Sequence, residues 1–285
     1  MELVVQGILL GGLYATVALG LSLVFGVIKM VNLAHGEFLV LGGYVTSLLV
    51  VSLGGDPLLL AIPAALIVGA LAYPLQRYLL TPLMRHSTEA PITATFGVSV
   101  VVQTVLLLVF TADPRTLNAP YAASQVEVLG VGMRTTLLIA TVIGVALVIV
   151  LDLTLRRSRF GRQVRAAAFD PDAAGLVGID LKHTYAMVLA VAAAVSAIGG
   201  ALIALSFSVD PVAGTGWLLR AFTVVVIGGL GSARGTLAGG ITVGLVETIA
   251  AAVFGAQYRD VAVFGALVVV LLLRPQGLFA KVQRA

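Results

Sequence analysis

The stretch from Met30 to Tyr44, MVNLAHGEFLVLGGY, sets an amide, an imidazole and a carboxyl group between two long apolar runs. The three residues are Asn32, His35 and Glu37. A further carboxyl, Glu247, stands in a run otherwise uncharged from Gly235 to Tyr258. An imidazole near a carboxylate suggests proton transfer or metal ligation, and both need partners at fixed spacing. His35 and Glu37 are two apart, which does not put two ligands on one helical face. His86 and His183 are distant in sequence, no His-Glu-x-x-His occurs, and there is no cysteine. GGLGSARGT, Gly228 to Thr236, is glycine-rich but lacks the lysine of a phosphate-binding loop. No catalytic set or metal site emerges, so the sequence does not read as an enzyme.

The elements that must carry these groups are apolar helices. The chain has 285 residues, 60% hydrophobic and 11% charged, with a mean hydropathy of +1.10. Soluble domains run nearer ~25% charged, so this chain needs lipid around it. Lipid forces backbone polar groups to pair internally, which selects helices. Apolar segments fall at 3–28, 37–54, 57–78, 90–112, 135–155, 184–208, 217–231, 236–255 and 258–273. The expected fold is an all-α polytopic membrane protein with about 8–9 transmembrane or re-entrant helices. Residues 1–285 read as a single membrane domain. The seventh segment is short for a ~30 Å hydrocarbon core and suits a half-helix. The N-terminus has no basic region or cleavage site and reads as a first span. Glu37 and Glu247, costly in hydrocarbon by at least ~2.5 kcal/mol, should face protein or water.

Lysine and arginine set the orientation. Basic residues gather at Arg77 to Arg85, between Arg156 and Lys182, and at Arg274, Lys281 and Arg284. Nine crossings put all of them, with Lys29 and Arg234, on one side, the cytoplasm, where the C-terminus also lies. The pI of 9.6 is thus positive-inside bias, not a nucleic-acid footprint. Residues 112–134 form a long outer loop with two prolines and mixed charge, a candidate docking surface.

Gly231, Gly235 and Gly239 recur every four residues, with Thr236, Gly240 and Gly244 beside them. Such rows let helix backbones approach closely. Met30 to Tyr44 and Gly229 to Gly244 echo one another as apolar helix, small-and-polar break, glycine-rich helix. Ser232 occupies the second break. Asn32, His35, Glu37, Ser232 and Glu247 are therefore candidates for lining a translocation path or for holding a helix break.

The loop at about 152–183 has its own local code. Arg162 and Arg165 share one face of a short helix that should end near Phe169. Asp170 suits the N-cap of a second helix, Pro171 its first position, Asp172 its dipole and Gly178 its stop. Two short helices with a defined corner suit docking onto a soluble motor.

SLVFGVIKMVNLAHGEFLVLGGY (Ser22 to Tyr44), GRQVRAAAFDPDAAGLVGID (Gly161 to Asp180), VVIGGLGSARGTLAGGITVGLVE (Val225 to Glu247) and LRPQGLF (Leu273 to Phe279) carry a family resemblance. The chain resembles, nearly end to end, the smaller, H-type permease subunits of bacterial ABC importers for branched-chain amino acids. The resemblance implies the ABC importer permease fold in the cytoplasmic (inner) membrane. It implies a second, larger permease, two cytoplasmic ATPases and an extracytoplasmic substrate-binding protein as partners. ATP and Mg would sit on the ATPases, with no cofactor on this chain and no nucleic acid. It also implies that the loop couples to the ATPase through Gly161, Arg162, Arg165, Ala166, Asp170, Ala173, Gly178 and Ile179. Relatives that carry urea or short amides leave the substrate open. An ion-driven transporter using Glu37 and Glu247 is the remaining alternative.

Overall fold

A computed structural model describes residues 1–84, 87, 89–128, 131–274 and 277–279. Arg85, His86, Lys281, Arg284 and the Pro275–Gln276 pair of the LRPQGLF stretch lie outside the described residues. Among the described residues twelve α-helices follow in order: α1 (Glu2–Ile28), α2 (His35–Leu53), α3 (Pro57–Pro74), α4 (Thr81–Leu83), α5 (Ala90–Phe110), α6 (Thr135–Arg157), α7 (Arg159–Phe169), α8 (Pro171–Leu176), α9 (Leu181–Ser206), α10 (Gly214–Gly228), α11 (Ala233–Phe254) and α12 (Arg259–Leu273). A π-helical segment, Leu75–Leu80, joins α3 to α4 into one long rod. Among the described residues eight helical stretches are long and apolar enough to cross a membrane.

The seventh apolar segment, α10, has 15 residues. At 1.5 Å per residue it spans about 22 Å, too short for a ~30 Å core. The half-helix expected there is present, displaced three residues toward the N-terminus. The outer loop adds a feature that the all-helical expectation did not include: a hairpin of β1 (Gln125–Val128) and β2 (Val131–Arg134), antiparallel, with Gln125 opposite Arg134.

Helix α1 is apolar on all sides and buried on nearly all of them, as expected for the central helix of a bundle. It packs against α11, α9, α6 and α10. The seam with α11 is backbone on backbone. A Cβ on Gly11 would stand 2.7 Å from the Gly240 carbonyl oxygen, and one on Gly240 would stand 2.8 Å from the Ala15 nitrogen. The two small rows of α11 serve different neighbours. Gly240 and Gly244 meet α1, whereas Gly235 and Gly239 meet Gly228 and Val224 of α10.

The molecule has two unlike ends. One carries α7, α8 and their flanking arginines, held together by Arg77 with Asp180 at 3.8 Å and Arg234 with Asp152 at 3.1 Å; it is called the basic face below. The other carries the hairpin, where Arg115 pairs with Val209 and Tyr121 donates to Asp56 at 2.8 Å; it is the hairpin face.

Candidate functional site

The first polar group sits at a break in mid-bundle. Helix α1 ends at Ile28 with Lys29 left-handed at φ 56°. The chain then turns back, and α2 starts at His35 beside Val17, whose carbonyl accepts from His35 Nε2 at 3.0 Å. Val17 lies about three turns, about 16 Å, before the end of α1. So α2 begins near half depth, and the segment 29–34 is irregular backbone inside the bundle. Such backbone needs internal partners, and the sequence supplies them. Asn32 Oδ1 accepts from the Ala34 N–H at 3.0 Å, and Thr95 Oγ1 accepts from the Leu33 N–H at 3.2 Å. The Ser196 hydroxyl lies 3.4 Å from His35 Nδ1.

Helix α10 starts at the same depth from the opposite direction. Segment 207–213 descends from the hairpin face, and a Cβ on Gly36 would stand 2.6 Å from the Gly214 carbonyl carbon. Two helix starts therefore meet head to head, each presenting the positive end of its dipole. The Glu37 carboxylate occupies the junction. It lies on Gly214, and its Oε1 accepts from Ser99 Oγ at 3.1 Å. Its Oε2 has no partner among the described residues. Asn32, His35 and Glu37 are all at most 2% exposed, and all three sit at this break. Glu37→Gln should keep the Ser99 bond and assemble normally. Glu37→Leu strands that hydroxyl and should lower stability by about 1–3 kcal/mol, read as a fall in melting temperature in detergent.

Ser232 has a plain geometric role: its Oγ accepts from the Gly235 N–H at 3.1 Å and caps α11. The turn before it, with Gly229 and Gly231 at positive φ, packs on Gly26 at the basic face. It is not a second mid-depth break. The counterpart of 29–34 is 207–213, so the sequence echo does not match the structural one.

Glu247 lies toward the hairpin face. It is 5% exposed, and its Oε2 accepts from Tyr14 Oη at 2.6 Å. The carboxylate also lines a cavity of about 470 Å³ beside Arg134 of the hairpin and Phe207. Tyr14 stands edge-on to Trp217, with ring centroids 6.2 Å apart.

The 152–183 loop follows its local code closely. Ser158 caps α7, and Asp170 caps α8 by accepting from the Asp172 and Ala173 N–H groups at 3.0 Å each. Gly178 is left-handed at φ 87°. Gly161 is buried, where a Cβ would stand 2.6 Å from the Thr154 carbonyl oxygen, fixing the α6–α7 corner. The two arginines part company. Arg165 donates to the Leu155 carbonyl and lines a cavity of about 430 Å³ between α7, α1 and α6. Arg162 is exposed and makes no side-chain bond among the described residues. Ala166 and Ile179 are half-buried and Ala173 exposed. Three apolar side chains went unremarked in sequence and stand out here: Phe169 at 89%, Leu176 at 90% and Val177 at 77% exposure. Their signal was apolar character at helix ends in an otherwise polar loop.

Asp180 caps α9 by accepting from the His183 N–H at 3.0 Å. That bond, and then the Arg77 guanidinium, holds its carboxyl below the usual aspartate range. The stabilisation is present at neutral pH and is lost as pH falls through the depressed value. Asp180→Ala should cost about 1 kcal/mol at pH 7 and nothing measurable once the wild-type carboxyl is protonated, read from melting curves across pH.

Residues 3–272 match the family described as branched-chain amino acid transport system / permease component. The chain belongs to this permease family. Among its relatives, the high-affinity branched-chain amino acid transport system permease protein BraD of Pseudomonas aeruginosa is 33% identical over 99% of this chain and 96% of its own length. The corresponding LivH protein of Escherichia coli is 30% identical over 97% of this chain and 94% of its own length. The fructose import permease protein FrcC of Rhizobium meliloti is 36% identical over 111 residues, which are 36% of this chain and 31% of FrcC. These relatives are transport permeases, not enzymes. The permease is a multi-pass membrane protein, and its helices, caps and glycine seams are those described above.

Proposed function

We propose that this permease is one half of the translocation unit of an ATP-driven importer for branched-chain amino acids. It pairs with a second, larger permease. Two cytoplasmic ATPases hold ATP and Mg, and an extracytoplasmic binding protein delivers substrate. The basic face is cytoplasmic, as the distribution of lysine and arginine favours, and the C-terminus lies there.

The observation that carries this reading is the pair α7–α8. Both helices are rigidly capped, and α7 is tied to α6 through Gly161 and Arg165. Their outward surface offers Arg162, Phe169, Leu176 and Val177. Exposed apolar groups on a rigid mount mark a docking surface. A helix pair fixed to the end of α6 passes motion of a docked ATPase into the bundle.

The test is reconstitution. Liposomes with this chain, the second permease and the ATPases, supplied with binding protein, should take up labelled leucine only with ATP inside. Uptake by the lone chain under an ion gradient would overturn the reading. Preference for urea or a short amide over leucine in the complete system would keep the ATP-driven importer and overturn its cargo.

A further inference from the structure

The cavity on the hairpin face has a lining that the importer reading does not use. It holds two opposite charges, each fixed from behind by the protein. Glu247 forms one wall. Tyr14 holds its Oε2 from inside the bundle at 2.6 Å, and its Oε1 makes no hydrogen bond among the described residues. Arg134 lines the same cavity. One of its terminal nitrogens donates to the Ser206 carbonyl at 2.8 Å, and its guanidinium carbon lies 5.6 Å from the centre of the Phe207 ring. A guanidinium has five N–H donors, so most remain for another acceptor. Leu10 and Phe207 give the cavity its apolar surface, and exposed Glu2 and Arg259 keep the formal charge of the lining at zero.

We propose that this cavity is a binding subsite for a zwitterionic α-amino acid with an aliphatic side chain. The substrate ammonium pairs with Glu247, its carboxylate with Arg134, and its side chain packs on Leu10 and Phe207. Both charged groups are held in place before the ligand arrives, which removes the ordering cost from binding. A volume of about 470 Å³ lies within the ordinary range for small-molecule sites. A neutral cargo such as urea or a sugar would leave both charges unmatched, so the site selects by charge pattern. The inference rests on the import reading and gives the permease a specificity step of its own, after release from the binding protein.

The purified complex of both permeases and ATPases, without binding protein, is titrated by calorimetry with three probes. Leucine carries both charges, leucinamide lacks the carboxylate, and 4-methylpentanoate lacks the ammonium. Leucine is expected to bind, and each analogue to bind about ten-fold or more weakly. Glu247→Gln should remove the preference for leucine over 4-methylpentanoate while keeping the preference over leucinamide. Arg134→Gln should do the reverse, and because Arg134 is exposed on the hairpin the only bundle contacts it gives up are those to the end of α9 and to Phe207. A merely structural role would weaken all probes together. The inference is overturned if wild type binds no leucine at millimolar concentration, or if both variants keep both preferences. Normal ATP-driven import in a complex that binds no leucine would sink this subsite alone. Absence of import in the complete wild-type system would instead sink the importer reading.

Discussion

Gly240→Leu should remove the folded permease from the membrane fraction. The α1–α11 seam has no room for a side chain. A Cβ at position 240 already stands 2.6 Å from the Gly11 carbonyl oxygen and 2.9 Å from the Ala15 Cβ. Both are parts of a central helix packed on every side, so neither can yield without moving α9 and α6 as well. Overpacking of a core commonly costs about 1–3 kcal/mol when side chains can shift. Here backbone meets backbone, and the cost should exceed that range. Membrane helices gain little from hydrophobic driving force between them and depend on close packing, so the loss is not recovered elsewhere. The measurement is the monodisperse peak on size-exclusion chromatography of a fluorescent fusion. Gly97→Leu is the matched control, because nothing lies within 4 Å of a Cβ at that position. A normal peak for Gly240→Leu would show that the seam is looser than described.

Leu176→Asp combined with Val177→Asp should abolish ATP-driven uptake and leave the permease inserted and monodisperse. Neither side chain is packed against the bundle, at 90% and 77% exposure, so surface substitution should change stability by about 0.5 kcal/mol or less. An apolar anchor at the centre of an interface is worth about 2 kcal/mol or more when removed, and buried carboxylates would add an unpaired charge. Phe169→Ala should give an intermediate loss of ATPase affinity. Charge reversal at Arg162 should weaken ATPase association and leave folding untouched. At Arg165 it should also disturb folding, since that side chain holds the Leu155 carbonyl at the end of α6. The readouts are pull-down of the ATPase and transport-coupled ATP hydrolysis. Full coupling in the double aspartate variant would remove α8 from the docking surface.

What the sequence made legible was what local chemistry decides. The cap at Asp170 and the stop at Gly178 were readable because each acts within a few residues, whereas Ser232 was read as part of a break and is the cap of α11. The apolar segments were readable because lipid demands them, and the half-helix α10 showed as a segment too short to cross. The glycine rows of α11 were visible, but which neighbour each row meets was not. Gly7 and Gly11 of α1 complete the seam from far away in the chain. The mid-depth junction was half visible. Asn32, His35 and Glu37 announced a break, whereas its other half, Gly214 and segment 207–213, carries no comparable signal. Glu247 read as a buried charge, but its partner Tyr14 and the Arg134 wall depend on tertiary contact. The hairpin was hidden in a loop whose strands have four residues each.

The π-helical segment Leu75–Leu80 carries one more consequence. A π turn holds an extra residue relative to an α turn, so the residues beyond it are rotated by about 100° from where uninterrupted α winding would put them. That offset turns Leu80 and Thr81 into the interior while Arg77 reaches Asp180 from within the segment. The six residues thus act as a frame-keeper. Removing one of them would restore ordinary α winding and leave the downstream side chains facing as they do now, because the wide turn already absorbs the rotation of one residue. When relatives are compared position by position, a single-residue gap within this segment should need no compensating changes at positions 80 and 81. Loss of one residue, which would re-aim everything beyond it in an uninterrupted helix, should be absorbed here.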